Sequence, residues 1–288
     1  MTALSPAPDL APQISLARVF ARNRASVAGA AIFALLLALA LAGRWLAPFD
    51  PQSTGAGGVM TAPGWPHWMG TDELGRDVFS RVCFGIRTSL LIGVTAAAIS
   101  TSAAILVGAL AGYFGGWIDD ALMRLTEVFQ VIPRFFLAIL LVAFFGASVV
   151  NIVVAIGILS WPEVARIVRA EFLSLKGRQF VSAAEVGGAG AATLIFVEIL
   201  PNAMGPVIVN ATLQVGQAML LEAGLSYLGL GDPRQISLGL MLYQAQEIMR
   251  TAWWATAFPG LFVFLAVLSV NLLGDGLNDV FNPRARGR

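Results

Sequence analysis

Few side chains in this sequence could do chemistry, and three of them are singletons. There is one histidine, His67, one cysteine, Cys83, and one lysine, Lys176. A metal site built from several histidines or cysteines is out of reach. Cys83 reads as a small apolar filler. Lys176 stands in SLKGR, with Leu175 before it. The phosphate-cradling loop GxxxxGK[ST] needs glycine in that place, so that backbone and lysine can close on phosphates. With no second lysine, the chain does not hydrolyse ATP through such a loop. HExxH and GxSxG are missing too, which removes two further hydrolytic chemistries. No catalytic and no metal-ligating residue is assigned. What remains is ion coupling by charges in apolar runs. The candidates are Glu127, Arg134, Glu222 and Asp275. Only Arg134 reads as deep. Its alternative is a packed or snorkelling cation with a carboxylate partner.

The elements that hold these groups belong in a bilayer. The chain has 288 residues, 57% hydrophobic and 12% charged, with mean hydropathy +0.78. A soluble domain carries roughly 25% charge. A net charge of +1 gives no reason to expect nucleic acid. The first residues, MTALSPAPDLAPQ, lack the basic start of a signal peptide. A crossing needs about 20 apolar residues, and six runs qualify. They lie near Ser26–Leu46, Ser89–Tyr113, Leu122–Gly146 (interrupted by Pro133 and Arg134), Val149–Val168, Met204–Leu225 and Trp254–Leu273. Each must be helical, because lipid offers no partner to backbone N–H and C=O groups. Trp65, Trp68, Trp253 and Trp254 fall near the expected interfaces, where aromatic rings favour the headgroup level.

Positive charge predicts the orientation. With the N-terminus inside, inner segments hold Arg18, Arg22, Arg24, Arg124, Arg166, Arg169, Lys176, Arg178, Arg284, Arg286 and Arg288. The outer ones hold only Arg44, Arg76, Arg81, Arg87, Arg234 and Arg250. Both termini are therefore expected in the cytoplasm, as is the mildly polar stretch Phe180–Asn202. Glu127 and Asp275 then fall near inner span ends, and Glu222 near an outer one. On the fifth span Asn210, Gln214 and Gln217 are spaced i, i+4, i+7 and share one helical face. With Glu222 they either line a path or hydrogen-bond between helices.

The stretch FVSAAEVGGAGAATLIFVEILPN resembles the EAA motif of ABC-importer permeases. Ala183, Ala184, Gly188, Leu200 and Pro201 match it in register, with Ser182 in the usual glutamate position and Glu198 as a second departure. HWMGTDELGRDVFSR, LLEAGLSYLGLGDP and LSVNLLGDGLNDVFNPR resemble further segments of the dipeptide, oligopeptide and nickel permeases. The order of these motifs, from about Arg22 to Arg284, is similar to the C-type subunit of that group. Arg134 stands where that group more often has a small residue, and Asp232 to Gln235 replace a proline-rich turn.

This resemblance implies an all-α membrane protein of six spans with the type I ABC-importer permease fold. It implies a tail over 1–25, a first span and external loop over 26–88, a core over 89–280 with a coupling segment at 171–202, and a tail over 281–288. The coupling segment would be two short helices docking on an ATPase, through Phe180, Ser182, Ala183, Ala184, Gly188, Leu200 and Pro201. From the residues, Gly187 and Gly188 break the first helix, and Pro201 is expected to stop the second. The residues alone also suit an amphipathic segment on lipid headgroups. The implied partners are a homologous B-type permease, two ATP-binding subunits carrying ATP and Mg, and an external substrate-binding protein, in a bacterial inner membrane. No cofactor is expected on this chain. Asp72, Glu73, Arg76 and Asp77 are plausible binding-protein contacts, or equally a salt-bridge network that folds their loop. The alternative function is a standalone ion-coupled carrier, although no inverted repeat is visible.

Overall fold

The computed structural model describes residues 16–55 and 57–281. Positions 1–15 and 282–288, including Arg284, Arg286 and Arg288, lie outside the described residues. Those described form helices and loops, with one isolated bridge between Thr71 and Asp77. Part of the expected N-terminal tail is helix α1 (Leu16–Arg22). Asn23 then caps α2 (Arg24–Leu46), its side chain accepting from the N–H groups of Ala25 and Ser26. The same side chain donates to Asp279 at 2.8 Å, near the end of the last helix.

Helix α3 (Val78–Phe114) begins well before the expected Ser89. It has 37 residues, about 55 Å at 1.5 Å per residue. Its extra turns carry Arg81 and Arg87, which break the apolar run but not the helix. Helix α6 (Val149–Lys176) likewise outruns its expected end at Val168. A Cβ added at Gly108 would meet the carbonyl oxygen of Ala165 at 2.5 Å, and one at Gly112 would meet the Phe172 Cβ at 2.6 Å. Gly157 faces Ile99 in the same way. These pairs advance together along both chains, so α3 and α6 run parallel and in close contact. Of the long helices only α6 has more than half of its most apolar stretch buried within the subunit. It is the central post.

Two parallel neighbours need a return crossing between them. Helices α4 (Gly116–Val131) and α5 (Arg134–Phe145) supply it, bent by 82° at their junction. The third expected span is thus two helices rather than one interrupted rod. Pro133 lacks an N–H and its ring displaces the preceding backbone, and Ile132 is extended as that rule requires. Five helices are long and apolar enough to cross alone, and this broken pair makes the sixth crossing.

Helix α7 (Gln179–Val186) follows α6. Helix α8 (Ala191–Leu230) then runs unbroken through Pro201, contrary to the expected stop. Immediately before the proline, Leu194–Ile199 widens into a π-helical stretch. Such a bulge relaxes the i to i−4 ladder that proline cannot complete. Short α9 (Leu238–Gln244) and α10 (Trp254–Phe281) complete the chain. Helix α10 packs on α2 through Gly29 against Leu272 and Gly276 against Ser26.

Three apolar clusters hold the bundle. One lies under the long loop, around Leu36, Ile86, Met219 and Trp254. One lies at the opposite end, around Phe172, Val181, Leu194 and Ile199. The third joins α3, α5, α6 and α8 through Ile92, Val142, Ile156 and Leu225. Cys83 is buried in this packing, as expected of a filler. Trp65, Trp68 and Trp253 are exposed, whereas Trp254 is buried and donates its indole N–H to the Thr71 carbonyl at 3.0 Å. It is a peg for the loop, not an interfacial anchor.

Candidate coupling platform and transport face

At one end of the bundle, α7 sits on the tips of α6 and α8. The α6 tip is held first. Arg169 pairs with both carboxylate oxygens of Asp119 on α4. Lys176 donates to the Tyr113 carbonyl and lies over the Tyr113 ring, 5.3 Å from its centre. Val181 is buried against the Leu194, Ile195 and Ile199 side chains, and Ala184 packs beside it.

Helix α7 ends as its glycines require. Ala189 N–H donates to the Ala184 carbonyl and Gly188 N–H to the Glu185 carbonyl, both at 3.0 Å. This pair of bonds is the Schellman closure, which needs a left-handed residue after the helix. Gly188 provides it at φ +87°. The opposite side of the platform is open. Val186 is 91% exposed, and Phe180, Ser182, Ala183 and Pro201 are exposed too. Leu200 is half-buried. Ser182 and Glu198 have no side-chain partner among the described residues. From the residues, Phe180, Val181, Ala183, Ala184 and Val186 build one apolar side of α7, whereas the structure buries Val181 and turns Val186 outward. Its place two turns beyond Arg178, opposite Val181, was the available signal.

The polar stripe of α8 divides. Glu222 is 1% exposed. It accepts from Ser89 on α3 at 3.1 Å and from Ser226 at 2.8 Å, while Ser89 accepts the Leu238 N–H that opens α9. Gln214 is 4% exposed and donates to the Ser160 carbonyl on α6 at 2.8 Å. Half-buried Asn210 donates to the Pro206 carbonyl, and Gln217 is exposed. Glu222 and Gln214 therefore face the subunit interior, not an opening in it. Steps of seven residues fall short of whole turns, and α8 is flanked by α3, α6 and α10, so only one strip of it stays open.

The external-loop carboxylates fold the loop. Asp77 is fully buried at the N-cap of α3, accepting from the Ser80 N–H at 2.8 Å, the Ser80 hydroxyl at 2.7 Å and His67 Nδ1 at 2.9 Å. His67 also stacks on Phe49. Asp72 pairs with Arg76 at 2.6 Å and lies 3.8 Å from Arg81. Both arginines donate to the Gln244 side-chain oxygen. Of the four, only Glu73 makes no hydrogen bond or ion pair among the described residues. In the loop after α8, Asp232 accepts from Arg234 and from the Val149 N–H at the start of α6. The Arg234 guanidinium holds its carboxyl below the ordinary carboxylate range, against the opposing effect of burial.

Arg134 has the carboxylate partner expected of it, though a loose one: Glu163 on α6 at 3.8 Å. The two flank a cleft of about 520 Å³ with Gln130, Pro133, Pro162 and Arg166 on its walls. Among the described residues no group of three or more His, Cys, Asp or Glu side chains could hold a metal ion.

The architecture and sequence have known counterparts. Residues 104–287 match the family described as "Binding-protein-dependent transport system inner membrane component". Residues 14–63 match "N-terminal TM domain of oligopeptide transport permease C". A di/tripeptide transport system permease protein of Pseudomonas aeruginosa is 39% identical, covering 93% of this chain and 90% of that protein. A putative peptide permease protein of Brucella suis is 41% identical, covering 95% and 92%. A glutathione transport system permease protein of Pectobacterium atrosepticum is 37% identical, covering 93% and 90%. In fold, the chain is similar to one from inward-facing crystals of the MetNI methionine ABC transporter. That likeness has TM-score 0.56 and 19% identity, covering 69% of this chain and 94% of that one. The chain belongs to the binding-protein-dependent transport system inner membrane component family and is a multi-pass, non-catalytic permease subunit of the inner membrane with the type I ABC-importer fold.

Proposed function

We propose that this chain forms half of the translocation path of an ATP-driven importer for peptides or a related small solute. An external binding protein delivers the solute. A homologous B-type permease completes the path, and two ATP-binding subunits carry ATP and Mg. The coupling segment 171–202 is the surface on which one ATPase docks, through Phe180, Ser182, Ala183, Ala184, Gly188, Leu200 and Pro201. One observation carries this reading: α7 is closed by its own Schellman bonds and seated on the tips of α6 and α8, yet turns Val186 and Phe180 outward. An apolar patch on a fixed platform suits a protein groove.

Both described chain ends support the orientation. The last helix returns Phe281 to the Gly205 end of α8, beside the platform, and Asp279 meets Asn23 there. Both described chain ends are thus on the platform side, which we assign to the cytoplasm. Half-buried Glu73 is the loop group open to the binding protein, while Arg76, its side chain 11% exposed, is spent on Asp72 and Gln244. Gln217, with Asn210 beneath it, is the part of the α8 stripe open to the path. Alternating access then rocks the two permeases against each other as the ATPases close.

The test is co-purification with an ATPase carrying GxxxxGK[ST]. Val186→Asp should leave the permease folded and in the membrane but lose the ATPase. Retention of the ATPase by Val186→Asp and by Ala184→Arg alike would falsify the docking assignment.

A further inference from the structure

We infer that the cleft between the Pro133 break and the Pro162 turn of α6 is an anion subsite, taking a carboxylate of the transported solute. The inference rests on the reading of this chain as an importer permease and adds a chemistry to its path. Depth comes first. Helix α5 has 12 residues, about 18 Å of rise, and Arg134 is its first. Glu163 is halfway along the 28 residues of α6. Both groups therefore lie well inside a hydrocarbon layer of roughly 30 Å. Lipid does not accommodate a guanidinium and a carboxylate at that depth, with the Arg166 guanidinium about one turn nearer the inner end of α6, and such groups instead face water or protein. Arg169, one turn further along α6, is paired with Asp119. Arg166 has no hydrogen-bond or ion-pair partner among the described residues.

Charge comes second. Arg134, Arg166 and Glu163 leave the cleft one positive charge in excess. The Arg134–Glu163 separation of 3.8 Å is an ion pair without a hydrogen bond. Both guanidinium forks keep their donors, and that planar fork matches a carboxylate in two-pronged fashion. Gln130 adds a neutral donor and acceptor on the same wall. The volume of about 520 Å³ is within the usual range for small-solute sites. Pro133 keeps one wall open, since the backbone cannot continue as a regular helix across the α4–α5 break, and Pro162 inside α6 brings no N–H to the opposite wall.

The complete transporter, carrying Cys83→Ala and Gln130→Cys in this chain, tests the idea. Anionic sulfonatoethyl methanethiosulfonate should modify Gln130→Cys about tenfold faster than the cationic trimethylammonium reagent, because local potential concentrates the counter-charge. Arg134→Gln with Arg166→Gln should abolish that preference, and Glu163→Gln should strengthen it. In proteoliposomes, ATP-driven uptake of alanyl-alanine should fall about tenfold in the double glutamine variant and recover in the double lysine variant, which keeps the charge. Equal rates with both reagents, no reaction with either, or uptake untouched by the double glutamine change would overturn the subsite. Failure of the unaltered transporter to take up alanyl-alanine with ATP would instead count against the peptide-importer reading, with the reagent ratio still deciding the charge of the cleft.

Discussion

The two ends of this bundle are built on opposite principles. The end carrying the long loop is tied by buried polar groups: Asp77 with His67 and Ser80, Asp72 with Arg76, Arg81 and Gln244, and Glu222 with Ser89 and Ser226. At the platform end Arg169 and Lys176 tie the α6 tip, but α7 itself is seated by apolar packing and a backbone closure, with its outer face left bare. A buried polar network specifies one geometry, because each unpaired member is costly. Apolar seating tolerates small slides. The loop end is therefore tied within the subunit, while the platform end keeps an open apolar face.

Experiments that break this contrast rank by how much each end depends on its ties. The largest effect is expected for Asp77→Ala. It removes the cap of α3 and orphans the Ser80 N–H and His67 together, a loss of about 3 kcal/mol. Thermal unfolding in detergent should show it, and a loop end held by apolar contacts alone would show almost none. Glu222→Ala should follow, at about 2 kcal/mol, because two buried hydroxyls lose their acceptor. Glu222→Gln should restore most of that in the same assay. At the platform, Gly188→Ala forces a side chain into positive φ and should cost about 1 kcal/mol. Its readout is faster hydrogen exchange in α7, with the loop end unchanged.

The smallest effect concerns Asp232. Its carboxyl is held low in the folded state, so its stabilisation is present above the unfolded value of about 3.9 and is lost as pH falls through the lower folded value. Acid titration of the melting temperature should show a downturn below that pH, missing in Asp232→Asn.

Much of the frame was legible in the sequence because lipid makes a blunt demand. A crossing must be long, apolar and helical, and each of the six runs lies in a crossing. The EAA-like spacing marked the platform, since glycine at a left-handed position leaves a plain signature. What escaped depended on neighbours. Arg81 and Arg87 hid the start of α3, because only the distant Gln244 and Asp72 make burial of Arg81 tolerable. Pro201 was read as a stop because a π-helical stretch cannot be seen in composition. Gln214 and Gln217 share a face by arithmetic, yet α6 covers one and leaves the other open.

The glycine-stitched pair α3 and α6 has a mechanical consequence. Two rods pressed backbone to backbone at Gly108 and Gly112 resist sliding, and α3 is nearly twice as long as the hydrocarbon layer is thick. A push on the platform is not absorbed along the way. At 1.5 Å per residue, a tilt of about 10° about one end displaces the other by roughly 10 Å. That is a lever arm, with its handle where α7 is seated and its far tip at the loop that His67 and Asp77 hold stiff.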